Sequence, residues 1–552
     1  MPDFPASWLR SHLALLALLA VTFCIYIPSL SGEFVIDDVI FIQDNPYIKD
    51  IRQVSRYFTK GLWENSALEV NTEAMYRPMN LAPFLLGHAL WGAHPVGYHA
   101  LLLLLHLANI CLVYVLVHTL TKSSIAAATF GAAVFALHPT RVESVAWISG
   151  GIDPLVTLFL LIAFVAHLFF VAGDKSEKQW RYLVLTLFSF QLALWSKEAA
   201  IIFPLIIVAH DWLLNRKITW VIVLPQTLMV AVYLIMRSAV LGETGKWSDL
   251  DFTHLSKVVD FGLGYSEMLL MPAHIPLYIQ PPEHAVSSFW GIISVLMTAV
   301  LLVYCWKVVD AHRKKVVIFS TIWAAGFFWP AILLAFYTNG FYAGRFLYVP
   351  AFGMVIIISL LYEHITTAYS RWKFALMSAG ISLIGFYGLV TWKDIPAWHD
   401  KGTIYRKIAQ DSPENSVGFV GMGDYFMSKE NYAEAENNFL LVVQKAKTPR
   451  AKVSALVNLG TINGINNRLA ESEVYLKEAV KIDPKSSEGW TGLGNLAQIR
   501  GDYIGAVSHY EAAMISNPKN YEAAMNLAVM YDKTGQFQRG SLLRQQASAM
   551  PH

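Results

Sequence analysis

Asp37 and Asp38 stand side by side in GEFVIDDVIFIQDN, residues 32–45, a stretch that begins where the first long apolar run (13–30) ends. A rise of 1.5 Å per helical residue puts both carboxylates within roughly two turns of a membrane surface. Acids that close to lipid are costly unless a cation or a substrate meets them. Further polar groups sit at the ends of other apolar runs: Tyr76-Arg77-Pro78, His138-Pro139 followed by Arg141 and Glu143, Asp153, Ser196-Lys197-Glu198, and Gly344-Arg345. Together they can line one shared polar cavity, which costs less than leaving each charge against lipid.

One chemistry suited to these parts is glycosyl transfer from a lipid phosphate to a hydroxyl. The phosphate is a leaving group of low pKa, so no general acid is needed, and a single carboxylate beside the acceptor hydroxyl serves as base with inversion. Fixed cations must hold the phosphate as its charge grows. Neighbouring side chains point in different directions, so one of Asp37 and Asp38 faces the acceptor while the other holds a sugar hydroxyl, a cation or the backbone. Blander roles compete. An Arg or Lys at a span end commonly anchors it at the interface. His138 before a proline can cap a helix, Arg77-Pro78 can simply start one, and Lys197-Glu198 can be an internal ion pair. His167 and His210, each alone on an apolar face, read as packed residues.

The chain around these groups is of two kinds. Of 552 residues 55% are hydrophobic and 15% charged, but residues 1–393 are long apolar runs with short polar gaps, and residues 400–552 are polar and helix-rich. A membrane domain followed by a soluble one is expected. A net charge of +2 argues against a nucleic-acid partner. The three cysteines, Cys24, Cys111 and Cys305, all lie in apolar runs, the pattern of buried positions and not of a disulfide or metal cluster. Arg10 and His12 precede the first apolar run, which reads as an uncleaved anchor with a cytoplasmic N-terminus. Spans are expected near 13–30, 95–118, 124–138, 152–172, 181–195, 199–214, 218–238, 287–306, 316–336, 346–364 and 374–392, about eleven in all. The gaps holding Lys122, Arg216 and Lys217, Lys307 to Lys315, and Arg371 with Lys373 are basic, and the positive-inside rule places them in the cytoplasm. Asp37, Asp38 and the soluble tail then fall outside it. The chain has no Asn-x-Ser/Thr acceptor site, which favours a bacterial inner membrane with a periplasmic tail over an endoplasmic-reticulum membrane with a lumenal one.

The tail repeats. Leu459-Gly460, Leu493-Gly494 and Leu527-Ala528 are spaced by 34 residues, as are Pro484 and Pro518. In the clearest unit Trp490, Gly494, Ala506, Tyr510 and Ala513 stand at offsets 4, 8, 20, 24 and 27, the tetratricopeptide pattern. Small residues let two antiparallel helices approach and large ones fill the groove. Earlier and later units begin near Ser416 and Tyr521, giving about four repeats, enough for a solenoid with a concave protein-binding face. The expectation is an all-α chain: a polytopic membrane domain over 1–393, a linker over 394–414, and a tetratricopeptide α-solenoid over 415–552.

The stretches FVIDDVIFIQDNPYI (34–48), YRPMNLAPFLLGHALWG (76–92), GYHALLLLLHLAN (97–109), FALHPTRVESVAWISGGIDPL (135–155), WSKEAA (195–200) and GRFLYVPAFG (344–353), with the repeat tail, resemble the transmembrane and tetratricopeptide repeat-containing O-mannosyltransferases, polytopic glycosyltransferases of the GT-C type. The resemblance implies a GT-C-like membrane fold and an enzyme moving a sugar from a polyprenyl-phosphate donor to Ser/Thr hydroxyls of a protein acceptor. It makes Asp37 and Asp38 the catalytic pair, with Asp37 preferred as base. It makes Arg345 the first choice for the lipid phosphate, with Lys197, Arg77 and His138 next and Glu143, Asp153, Glu198 and Tyr76 as further cavity residues. It implies no cofactor and no metal. Asp37, Asp38 and Asp153 have oxygen ligands suited to a divalent ion, but no compact spacing demands one. The chain departs from the family in having Gly344, not an acid, before Arg345, and in lacking an arginine at Gly151 ahead of Asp153. A lipid or polysaccharide acceptor, and a non-catalytic scaffold that recruits envelope proteins through its repeats, are the alternatives. A transporter is disfavoured by the lack of a duplicated membrane half.

Overall fold

The computed structural model describes residues 6–68, 75–173, 179–242, 255–273, 275–277, 289–333 and 343–548. It divides into two compact units, Met1–Asp400 and Lys401–His552. No strand occurs among the described residues.

The first unit contains α1 (Ala6–Tyr26), α2 (Val54–Tyr57), α3 (Ala82–Trp91), α4 (Pro95–Thr121), α5 (Ile125–Leu137), α6 (Val142–Ala146), α7 (Ile152–Ala172) and α8 (Gln179–Ser196). It continues through α9 (Phe203–His210), α10 (Trp220–Leu241), α11 (Leu255–Leu270), α12 (Phe289–Val308), α13 (Ala311–Leu333), α14 (Ala351–Ala368) and α15 (Lys373–Asp394). Among the described residues eight helical stretches are long and apolar enough to cross a membrane, or nine when α5 and α6, bent by 53°, count as one broken span. This is an integral membrane protein. The expected spans at 181–195 and 316–336 are helical, as α8 and α13, but fall outside that set of eight. Gln179, Arg181 and Gln191 make α8 more polar, and α13 opens on Arg313, Lys314 and Lys315. Residues 287–288 and 334–336 of two expected spans lie outside the described residues.

Proline and small residues set this unit's geometry. Pro95 opens α4, and Ser124 caps α5 by accepting from the Ala127 N–H, leaving fewer orphan donors at those ends. Gly131 lets α5 meet α14 at Ser359, and Gly353 lets α14 meet the α13 backbone at Ser320; a Cβ at either glycine would overlap its neighbour. Lipid provides no hydrophobic force between helices, so such close contacts carry the packing.

In the second unit, α16 (Lys401–Asp411) precedes four antiparallel pairs. These are α17 (Ser416–Ser428) with α18 (Tyr432–Lys445), and α19 (Pro449–Ile465) with α20 (Leu469–Ile482). They are followed by α21 (Ser487–Ile499) with α22 (Tyr503–Ser516), and α23 (Tyr521–Lys533) with α24 (Phe537–Ala547). The stretch 394–414, expected as a linker, is largely helical: Ile404 and Ile408 of α16 are buried in the second unit, and Ile395 and Trp398 are buried in the first. Ile395 with Trp398, and Ile404 with Ile408, are each spaced by about one turn, so each pair buries one face of its own short helix. In each of the first three pairs the glycine at offset 8 faces the large residue at offset 24. A Cβ at Gly423, Gly460 or Gly494 would lie 2.6, 2.5 or 2.5 Å from Phe439, Leu476 or Tyr510. Tyr510 is held further by its hydroxyl, which donates to Asn495 at 2.6 Å. Gly494→Ala therefore forces a packed ring to move, at a cost of about 1–3 kcal/mol. The expected result is faster protease cutting in residues 486–548 of the full-length protein with the first unit's cutting unchanged.

Candidate active site

The acidic pair lies in a tight turn. After α1 the chain passes through a 3-10 turn (Ile27–Ser31), and Ile36 then takes a left-handed φ of 48°. A β-branched residue there stores roughly 1–3 kcal/mol of strain, which surrounding contacts must hold. Those contacts are visible at Asp38. Its backbone N–H donates to Val35 O at 2.9 Å, and its Oδ2 accepts from Val35 N at 3.1 Å. Its Oδ1 accepts the Ser149 backbone N–H at 2.7 Å and the Ser149 hydroxyl as well. Asp38 is fully buried, and burial pushes its carboxyl up to about 7, against the opposing pull of the Ser149 and Val35 donors.

Asp37, one residue earlier, lines a cavity of about 380 Å³. Arg77, Asn80, Trp147, Ser149, Asp153, Lys197, Glu198, Arg345 and Phe346 share its wall. The adjacent acids are thus divided: Asp37 faces the cavity, and Asp38 anchors the turn to the segment before α7.

The cations of the wall are tied down by carboxylates. Arg77 Nε donates to Glu198 Oε2 at 2.8 Å, and Lys197 Nζ lies 2.6 Å from Asp153 Oδ1. The second oxygen of Asp153, Oδ2, is buried without a hydrogen-bond partner among the described residues. Arg345 is ion-paired with Glu143, whose other oxygen accepts the Arg345 backbone N–H at 3.1 Å. Its guanidinium lies over Trp147 and Phe346, 5.1 and 5.0 Å from the ring centroids. The acid beside Arg345 is thus Glu143, 202 residues earlier in the chain. The turn carrying Arg345 (Gly344–Leu347) is held from below through Tyr348, whose hydroxyl is 2.7 Å from His106 Nδ1 and accepts from Asn109 at 3.3 Å.

Three expected site residues are placed elsewhere. His138 does not line the cavity: its Nδ1 is 2.8 Å from the Thr140 hydroxyl and its Nε2 3.0 Å from Leu269 O. Both ring nitrogens serve the bend between α5 and α6. Tyr76 is buried, its hydroxyl donating to Phe58 O at 3.1 Å and its carbonyl accepting from Tyr233 at 2.9 Å. Glu143 acts on Arg345 from outside the lining. Sequence reading missed Ser149, Trp147 and Asn80, since a lone serine, tryptophan or asparagine near a span end carries no spacing signal.

The burial of Asp38 has a sign that can be checked. Its carboxyl binds a proton up to about pH 7 in the folded chain, but only up to about 4 when unfolded. The folded state therefore holds the extra proton between those values, and stability from this group is full below about pH 4 and lost as pH rises towards 7. The apparent melting temperature of the wild type should fall from pH 5 to pH 8 by several degrees more than that of Asp38→Asn; equal slopes would refute the assignment.

A tetratricopeptide repeat family model matches residues 453–486. The protein O-mannosyl-transferase F38B6.6 of Caenorhabditis elegans is 23% identical over 77% of this chain and 61% of its own length. Human protein O-mannosyl-transferase TMTC3 is 23% identical over 86% of this chain and 57% of its own. Human TMTC1 is 36% identical over 154 residues, 27% of this chain and 17% of its own. The chain's relatives are protein O-mannosyl-transferases. It spans about three fifths of the length of those it matches most broadly. Among solved structures, ArnT from Cupriavidus metallidurans bound to undecaprenyl phosphate aligns over 86% of this chain and 80% of its own, with 12% identity and a TM-score of 0.40.

Proposed function

We propose that the first unit is an inverting glycosyltransferase that moves a hexose from a polyprenyl-phosphate donor to Ser/Thr hydroxyls of a protein outside the cytoplasm. The observation that carries this reading is Asp37 in the wall of a cavity whose other walls hold Arg77, Lys197 and Arg345. Asp37 takes the proton of the acceptor hydroxyl as its oxygen attacks the anomeric carbon. The bond from that carbon to the phosphate oxygen breaks, and polyprenyl phosphate leaves as an anion with no general acid. Single displacement inverts the centre. Arg345, assisted by Lys197 and Arg77, holds the growing phosphate charge. Asp153, also in the cavity wall, holds Lys197 in place for that role. No cofactor or metal is required by these steps.

An apolar groove of about 300 Å³ supports a lipid donor. It is lined by α11 to α14 and by Leu347 and Pro350, which follow Arg345 within a few residues. Leu302 and Thr321 also line a second apolar groove, which extends to Trp306 and Lys307. A long isoprenoid fits such a track with its phosphate at Arg345. The names of the relatives and the repeat unit support a protein acceptor, with the repeats binding it. Basic gaps between spans support a cavity on the side away from the cytoplasm, and the lack of Asn-x-Ser/Thr sites supports a bacterial inner membrane, with that side periplasmic.

The test is the intact mass of envelope proteins from cells with the gene, without it, and with Asp37→Asn. A hexose-sized increment present only with the wild-type gene is expected. Altered lipid-linked glycans or polysaccharide with no protein mass change would move the acceptor to those molecules. A deletion phenotype fully rescued by Asp37→Asn would leave a scaffold and end the catalytic reading.

A further inference from the structure

At the opposite end of α7 from Asp153, three ligand-type side chains converge away from the cavity. His167 follows Asp153 by 14 residues on the same helix, about 21 Å along the axis at 1.5 Å per residue. His167 Nε2 lies 2.9 Å from Asp211 Oδ1, His210 Nδ1 lies 3.2 Å from the same oxygen, and the two nitrogens are 3.3 Å apart. All three residues are buried. Adjacent residues on an α-helix do not face one target, yet His210 and Asp211 do. The reason is local: α9 ends at His210 and passes into a π-helical turn, Asp211–Asn215, a distortion frequent at functional sites.

The arrangement has the features of a built site. Asp211 Oδ2 accepts the Thr219 N–H at 2.7 Å, which fixes the carboxylate so that Oδ1 points at both imidazoles. Phe164 flanks both rings, with centroids 6.3 Å from His167 and 5.2 Å from His210, and Phe319 closes the His210 side at 5.7 Å. An apolar box of this kind leaves two imidazoles and a carboxylate with one common point for their lone pairs. Four-coordinate zinc holds N and O donors at about 2.0–2.1 Å, which sets donor atoms about 3.3 Å apart, and the three separations here are close to that. As hydrogen bonds alone, both rings must direct an N–H at one oxygen.

We infer that His167, His210 and Asp211 bind a divalent first-row transition metal, zinc foremost, as a staple joining α7 to the turn after α9. Two neutral imidazoles and one carboxylate suit that class and not calcium or magnesium, which take oxygen donors. The site stands apart from the proposed transferase chemistry and does not rest on it.

The full-length protein, carrying a tag without histidine and purified in detergent without chelator, is analysed by elemental mass spectrometry. About one zinc, or another first-row ion, per chain is expected in the wild type and in His118→Ala, an exposed histidine on α4. A tenfold loss is expected in His210→Ala and in Asp211→Asn. Stripping the wild type with a strong chelator should lower its melting temperature, and zinc but not magnesium should restore it. Competition between the stripped wild type and a chromogenic zinc chelator needs no variant, so it decides the question even where a substitution prevents folding. Wild type that arrives with under a tenth of an ion per chain and takes up no zinc in that competition would overturn the site, as would variants that keep the full metal load.

Discussion

Asp37→Asn is expected to lower the turnover number for sugar transfer by about 10²–10⁴-fold, the usual contribution of a positioned general base, with KM for the donor changed by no more than a few-fold. Asn keeps the volume but cannot take the acceptor's proton. Asp37 lines the cavity, whereas Asp38 is fully buried and spends both oxygens on Val35 and Ser149, so the two substitutions should separate. Asp37→Asn leaves the melting temperature near that of the wild type and removes turnover. Asp38→Asn replaces an acceptor facing the Val35 N–H with a donor and disturbs the turn itself. Steady-state transfer from a synthetic polyprenyl-phosphate hexose, run beside a thermal melt of each variant, checks both. A loss under tenfold in Asp37→Asn would show that the proton leaves by another route.

Arg345→Ala should be the other large effect, and it should act twice. If Arg345 holds the departing phosphate as proposed, removing it costs about 10²–10³ in turnover, the scale found for deleting a preorganised charge stabiliser. It also strands Glu143, whose side chain is 8% exposed; leaving one partner of a largely buried pair uncompensated costs about 3–5 kcal/mol. The two effects can be parted. Glu143→Gln with Arg345→Met removes the stranded charge and should recover most of the lost melting temperature while turnover stays low. Arg345→Lys keeps the charge but not the planar fork that also lies over Trp147 and Phe346, so it should fall between wild type and Arg345→Ala. Recovery of turnover in the double variant would make Arg345 a structural residue only.

Much of this protein can be read along the chain. Apolar runs mark the membrane helices because a span needs about 20 apolar residues whatever its neighbours. The 34-residue period fixes the helix pairs of the second unit, because Gly494 opposite Tyr510 is a contact between residues 16 positions apart within one repeat. The acidic pair stands out because carboxylates at the end of an anchor do nothing for insertion. The apolar residues of 394–414 fall in two short groups, 395–398 and 404–409, too sparse to signal a helix without the surfaces that bury them.

What tertiary structure alone decided is which groups meet. Asp37 and Asp38 are equivalent in sequence, and only the Ile36 turn and Ser149, 111 residues on, send one to the cavity and bury the other. Arg345 finds Glu143 across 202 residues, and Arg77 finds Glu198 across 121. His138, placed next to a cavity by its position at a span end, is turned towards Leu269, while His167 and His210, solitary in sequence, converge on Asp211. The physical reason is common to all of these. A sequence specifies the period of each helix and so which residues share a face, but the rotation and depth at which one helix docks on another come from close packing of whole surfaces. Small residues such as Gly131 and Gly353 set that docking in this protein, by letting α5 approach α14, and α14 approach α13, closely.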